Sequence, residues 1–188
     1  MARMPILKEE PSLYPETLLD APPSEGSPRR WLALYTKSRQ EKSLARELLK
    51  HCIAFYLPLV RKTSVSRGRK RTSLVPLFGG YVFLYGSEEE RVRGLATGRI
   101  SRVLEVKDEE QLVFDLRQLR QLIISDAPLT VESRLSAGQR VRVRQGAFAE
   151  LEGTVLKRRG RTRLLVSINF LQRGASVEID DFLLEPLD

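Results

Sequence analysis

The sequence predicts an α+β fold in two parts, a sheet-and-helix sandwich followed by a small β-barrel. Three observations predict it. Residues 74–85 (LVPLFGGYVFLY) are the most apolar and aromatic run in the chain. Segments with helical spacing alternate with strand-like segments as far as residue 125. Beyond a linker at 126–136, residues 140–144 (RVRVR) alternate strictly, and several short strands with glycine between them follow.

Taken in order, residues 1–26 read as an unstructured tail, punctuated by Pro5, Pro11, Pro15, Pro22 and Pro23. Residues 31–37 (WLALYTK) read as a buried strand with Trp31, Ala33 and Tyr35 on one side. Ser38 with Glu41 has the spacing of a capping box, and Leu44, Leu48 and Cys52 extend an apolar stripe along the helix behind it. On that stripe Cys52 reads as a core thiol, and His51 falls off it, exposed.

Residues 55–60 begin a second strand. It continues through 61–72 (RKTSVSRGRKRT), with six basic residues and no acid, around a turn at Arg67-Gly68. This is a long hairpin with a basic tip that returns into the aromatic run. There the alternation puts Tyr81, Phe83 and Tyr85 on one face and Val82 and Leu84 on the other, after a break at Gly79-Gly80. Both faces are apolar: either the chain covers both, or one is left for a partner. Ser87 with Glu90 and Asp108 with Gln111 mark two further helix starts, with a strand at 100–106 between them. The last helix carries Leu112, Leu116, Leu119 and Ile123 as one stripe. The sandwich is therefore residues 27–125, and the barrel 137–188. In the barrel, Gly146 and Gly153 fall at turns around Phe148, and strands are expected at 164–168, 177–179 and 182–184.

The formal net charge of +8 favours an anionic partner. One Cys and one His make neither a disulfide framework nor an ordinary metal site. No apolar run or leader-like block points to a membrane, so a cytoplasmic protein is expected. The acidic runs at Glu88, Glu89, Glu90 and at Asp108, Glu109, Glu110 each open a helix, where they complement its dipole. They read as structural, so no enzyme, cofactor or metal is expected.

Residues 138–168 (GQRVRVRQGAFAELEGTVLKRRGRTRLLVSI) resemble a KOW module, an SH3-like barrel, through Gly138, Val141, Val143, Gly146, Phe148, Gly153 and Val155. WLALYTKSRQEKSLARELL, FYLPL, RGRKRT and PLFGGYVFLY resemble the N-terminal domain of NusG- and RfaH-type transcription elongation and antitermination factors, and the order of the two parts matches. The TKSRQEK and RGRKRT segments look closer to specialised paralogues. The chain departs from the family at Phe78-Gly79-Gly80-Tyr81, where a proline usually follows the Phe, and in a longer segment at 169–174.

The resemblance implies a monomeric, non-enzymatic factor docked on the clamp helices of the largest RNA polymerase subunit, suppressing pausing or termination. The docking position falls on Tyr35, Phe78, Tyr81 and Phe83. The basic hairpin, with Arg61, Lys62, Arg67, Arg69, Lys70 and Arg71, would touch DNA in the elongation complex. The KOW module would recruit a ribosomal protein or Rho, with Phe148, Phe170, Leu171 and Arg173 as partner-binding residues. Phe170 serves equally as a cap on the barrel core, and a charge run is also an ordinary solvated surface. A free-standing KOW-type RNA-binding or ribosome-associated protein is the alternative.

Overall fold

The computed structural model describes residues 9–21, 26–134 and 138–187. A five-stranded antiparallel sheet forms the N-terminal half, in the order β1 (Leu13–Tyr14), β3 (Ala54–Tyr56), β6 (Tyr81–Gly86), β2 (Arg30–Thr36), β7 (Ile100–Glu105). The aromatic run supplies its central strand, β6. Register places Trp31 opposite Tyr85, Ala33 opposite Phe83 and Tyr35 opposite Tyr81, so these six side chains share one face. The opposite face carries Leu32, Leu34, Val82 and Leu84, packed with Leu44, Ala45 and Leu48 of helix α1 (Glu41–Lys50) and with Phe55 and Leu57. Helix α3 (Glu109–Ile124) contributes Leu112, Leu116 and Leu119 to the core on the aromatic side. The chain thus covers both faces of β6: Phe83 and Leu84, on opposite sides, are each 0% exposed.

Helix ends follow local chemistry, with two corrections. At α2 (Glu88–Ala96) the capping box forms: the Glu90 N–H donates to Ser87 Oγ (3.3 Å) and the Ser87 N–H to Glu90 Oε2 (2.7 Å). At α3 half of one forms. Asp108 Oδ1 accepts from the Gln111 N–H (2.9 Å), but the Gln111 side chain turns to Asp115 instead. The box expected from Ser38 does not form; Gln40 precedes α1 without a side-chain cap, and Glu41 is drawn elsewhere. Cys52 is exposed rather than in the core. It sits at φ 54°, just past the end of α1, where its N–H bonds Leu49 O (3.0 Å) and the next N–H, of Ile53, bonds Leu48 O (2.9 Å). This is the Schellman closure of a helix, with cysteine at the left-handed position that glycine usually fills. Ile53, not Cys52, goes into the core.

Two segments expected to be irregular carry structure. Residues 1–8 and 22–25 of the expected tail lie outside the described residues, but residues 9–21 are ordered. β1 pairs with β3, Ser12 exchanges hydrogen bonds with Leu57, and Leu19 is buried. Arg117 of α3 donates to the Leu19 carbonyl, and Arg120 pairs with Asp20 at 3.4 Å, tying this strap across α3. The expected linker at 126–136 contributes strand β8 (Thr130–Glu132) to the second sheet.

That second sheet has six antiparallel strands: β13 (Leu184–Pro186), β9 (Arg140–Val143), β10 (Glu152–Arg158), β11 (Arg161–Ile168), β12 (Arg173–Glu178) and β8. A short 3₁₀ turn, Asp181–Leu183, replaces the start of the last expected strand. Gly153 lies inside β10 rather than at a turn. A Cβ there would stand 2.4 Å from the Leu165 carbonyl oxygen, so close strand approach accounts for the glycine. The sheet does not hang free of the first domain. It packs on α3, and its Val141, Val143, Leu164, Val166 and Ile168 belong to one apolar cluster with Leu112, Leu116 and Leu119.

The turn that starts β6 is fixed by its backbone. The Gly80 N–H donates to Glu41 Oε1 (2.7 Å), and its carbonyl accepts from the Thr36 N–H (2.8 Å). Gly80 has φ 88°, and a Cβ there would meet the Tyr35 ring at 2.8 Å. Gly80→Ala should therefore destabilise the fold by about 1–3 kcal/mol, through left-handed strain and displacement of Tyr35. An urea midpoint equal to wild type would refute this account of the turn.

Candidate functional site

The basic hairpin is β4 (Leu59–Ser66) and β5 (Arg69–Pro76), a two-stranded sheet of its own, in continuous register from Leu59–Pro76 to Ser66–Arg69. Arg67 and Gly68 both have positive φ, 50° and 74°, which gives the type I′ turn that matches strand twist. All residues from 61 to 73 are exposed. Alternation divides the six cations: Lys62, Arg69 and Arg71 share one face, Arg61 and Lys70 the other, and Arg67 sits at the tip. Among the described residues only Arg61 has a carboxylate within ion-pair distance, Asp126 at 3.6 Å, and both groups are too exposed for the pair to be worth much. The other five are available to phosphate oxygens. Arginine binds these well because its planar fork offers several N–H donors in fixed geometry.

The four expected docking residues divide two and two. Phe78 and Phe83 are buried in the core, beneath the cover that includes α3. Tyr35, 37% exposed, and the half-buried Tyr81 form the accessible pair, with ring centroids 5.2 Å apart and planes tilted by 58°. A guanidinium lies over each ring: Arg102 at 5.9 Å from the Tyr35 centroid, Arg173 at 5.4 Å from that of Tyr81. Arg173 belongs to the second sheet, so one residue expected to bind a partner there meets a docking residue of the first. Of its companions, Phe148 and Leu171 are half-buried against the core and Phe170 is 36% exposed.

The seam between the two halves uses residues that sequence reasoning passed over. Asp115, on the buried side of α3, accepts hydrogen bonds from the Asn169 N–H (2.8 Å) and Gln111 Nε2 (2.7 Å). Gln118 Oε1 accepts from the Glu152 N–H (3.0 Å), and Gln121 Nε2 donates to the Ala149 carbonyl (2.8 Å). These residues stand at three-residue steps along one side of α3. The available signal was Asp115 itself, a carboxylate set directly beside the leucine stripe.

Burial raises the Asp115 carboxyl above the ordinary carboxylate value, and the hydrogen bonds from Asn169 and Gln111 only partly oppose it. A raised folded pKa means that the folded chain holds this proton more tightly than the unfolded chain. Its contribution to stability is full below the unfolded pKa and is lost as pH rises through the folded one. Asp115→Asn should remove that component, flattening the fall in urea midpoint across the upper carboxylate range. A slope identical to wild type would show that Asp115 does not titrate with folding.

Comparison with known proteins matches most of the chain. Residues 29–121 match the family model described as transcription termination factor nusG. That segment runs from the edge of β2 almost to the end of α3, and so takes in the hairpin and the tyrosine pair. Across 88% of this chain and 100% of each relative, the sequence is 27% identical to the transcription termination/antitermination protein NusG of Vibrio parahaemolyticus, of Vibrio cholerae and of Vibrio vulnificus. Residues 29–121 are thus a NusG-type family domain, and the chain is similar to NusG proteins over most of its length.

Proposed function

We propose that this chain is a cytoplasmic, non-enzymatic factor that binds elongating RNA polymerase through its N-terminal domain and suppresses pausing or termination. The observation that carries the reading is an unmasked, acid-free basic hairpin in the same domain as an accessible tyrosine pair. The relatives' names, which speak of termination and antitermination, agree with it. Tyr35 and Tyr81 are the contacts to the clamp helices of the largest subunit, and Tyr81 packs against the cluster that buries Phe78 and Phe83. The hairpin reaches the DNA, where contacts to phosphate position the factor without reading sequence. The six-stranded sheet is a KOW-type barrel that takes a protein partner, a ribosomal protein or Rho, with Phe170 as one of its exposed apolar residues.

Bound this way, the factor favours the processive enzyme only by its higher affinity for the closed clamp than for the open one. Tyr35→Ala with Tyr81→Ala should cost about 2 kcal/mol in polymerase affinity for each true anchor, with the melting temperature largely kept. A fall in melting temperature with unchanged affinity of the folded fraction would remove these residues from the interface. Neutralising Arg67, Arg69, Lys70 and Arg71 together should weaken binding to a complete elongation complex. The log–log salt slope should become shallower by about three to four units, while binding to nucleic-acid-free polymerase is kept. Equal losses on both forms of the enzyme would put the hairpin on protein.

A further inference from the structure

The second sheet carries a near copy of the basic tip. β10 and β11 join through Arg159 and Gly160, with φ of 52° and 74°, against 50° and 74° at Arg67 and Gly68. The sequence repeats with the geometry: Arg67-Gly68-Arg69-Lys70-Arg71 in one hairpin, Arg159-Gly160-Arg161-Thr162-Arg163 in the other. For a type I′ turn the unstrained first residue is Asn or Asp, and arginine adopts positive φ only at a cost. At both tips a cation stands where turn geometry alone would select a short polar side chain.

The surroundings of the second tip are basic as well. Lys157, Arg158, Arg159 and Arg161 are exposed. Register sets Arg158 directly opposite Arg161, and Arg163 opposite Leu156, so three guanidinium groups share one face of the ladder. Like charges in that position repel. Neighbouring strands relieve part of this: Glu132 pairs with Arg158 at 3.2 Å, and Glu178 with Arg161 at 2.6 Å and Arg163 at 4.0 Å. Two carboxylates do not balance five cations. Among the described residues Lys157 and Arg159 have no carboxylate within ion-pair distance, and an open cleft of about 800 Å³ lies among Thr130, Arg158, Arg159, Arg161, Arg163 and Glu178.

We infer that this second arginine-glycine tip binds the phosphodiester backbone of a nucleic acid, so that the chain grips nucleic acid at two hairpins. Four of the five cations are arginines, whose fork suits phosphate oxygens better than a lysine point charge does. The inference adds a site to the sheet that the functional reading gives to a protein partner. It does not depend on polymerase docking.

The test uses the full chain without polymerase. Fluorescence anisotropy would follow two labelled probes, a single-stranded RNA and a DNA duplex, across a salt series. Lys157→Gln with Arg159→Gln should weaken binding roughly threefold to tenfold. It should also make the log–log salt slope shallower by about 1.4 on single strands or 1.8 on duplex, the value for two lost phosphate contacts. The single variant Arg159→Asn keeps a residue suited to positive φ and should show a smaller loss with an unchanged melting temperature. A loss on RNA alone, or on both probes, supports the site and names its ligand. Unchanged affinity and slope on both probes, no binding by wild type, or a loss that Arg159→Asn does not reproduce would overturn it. None of these outcomes bears on the polymerase reading.

Discussion

The structure depends on the burial of β6 from both sides. Phe83 and Leu84 are adjacent in sequence and point in opposite directions, and neither retains contact with water. One needs α3 and the strap of residues 9–21; the other needs α1. A central strand with two apolar faces stabilises the fold only while both covers are present, because either exposed face would return its hydrophobic free energy to solvent. The Gly80 turn sets where the strand begins. Its N–H is held by a carboxylate from α1 and its carbonyl by β2, so the strand, its neighbour and one cover are joined at a single residue.

Helix α3 connects this arrangement to the second sheet. Its leucines enter the apolar cluster, while Asp115, Gln118 and Gln121 bond the backbone of the C-terminal half. The sixteen-residue helix thus works on two sides, while Phe114 and Ile124 remain exposed on the rest of its surface. The seam is an apolar cluster shared by the helix and the sheet, and the side chain to backbone hydrogen bonds beside it set the position of one against the other.

Much of this was legible in the sequence where local pattern and final environment coincide. The basic hairpin, its Arg67-Gly68 turn, the capping box at Ser87 and the leucine stripe of α3 all follow from spacing. The reading went astray where a residue's role is set by something distant in the chain. Glu41 has the spacing of a cap but serves Gly80, and Gln111 has the spacing of a cap but serves Asp115. The prolines near the N-terminus concealed a strap whose buried member is the single side chain Leu19. Phe78 and Phe83 carry an apolar signal that says they will be covered, not by what. Tyr35 and Tyr81 stay accessible because they stand at the end of the strand pair, which alternation alone does not reveal.

The hairpin's isolation as a two-stranded sheet has another consequence. Among the described residues no third strand joins this ribbon, so it presents unpaired N–H and C=O groups along its outer edges, and Val65, 66% exposed, adds a β-branched apolar side chain to them. Such a ribbon is a template for pairing with a second copy of itself. Cations along both strands oppose this, since two ribbons brought edge to edge would set like charges against each other. The positive charge thus keeps the hairpin solitary in free solution, and a polyanion that neutralised it would also lift that protection.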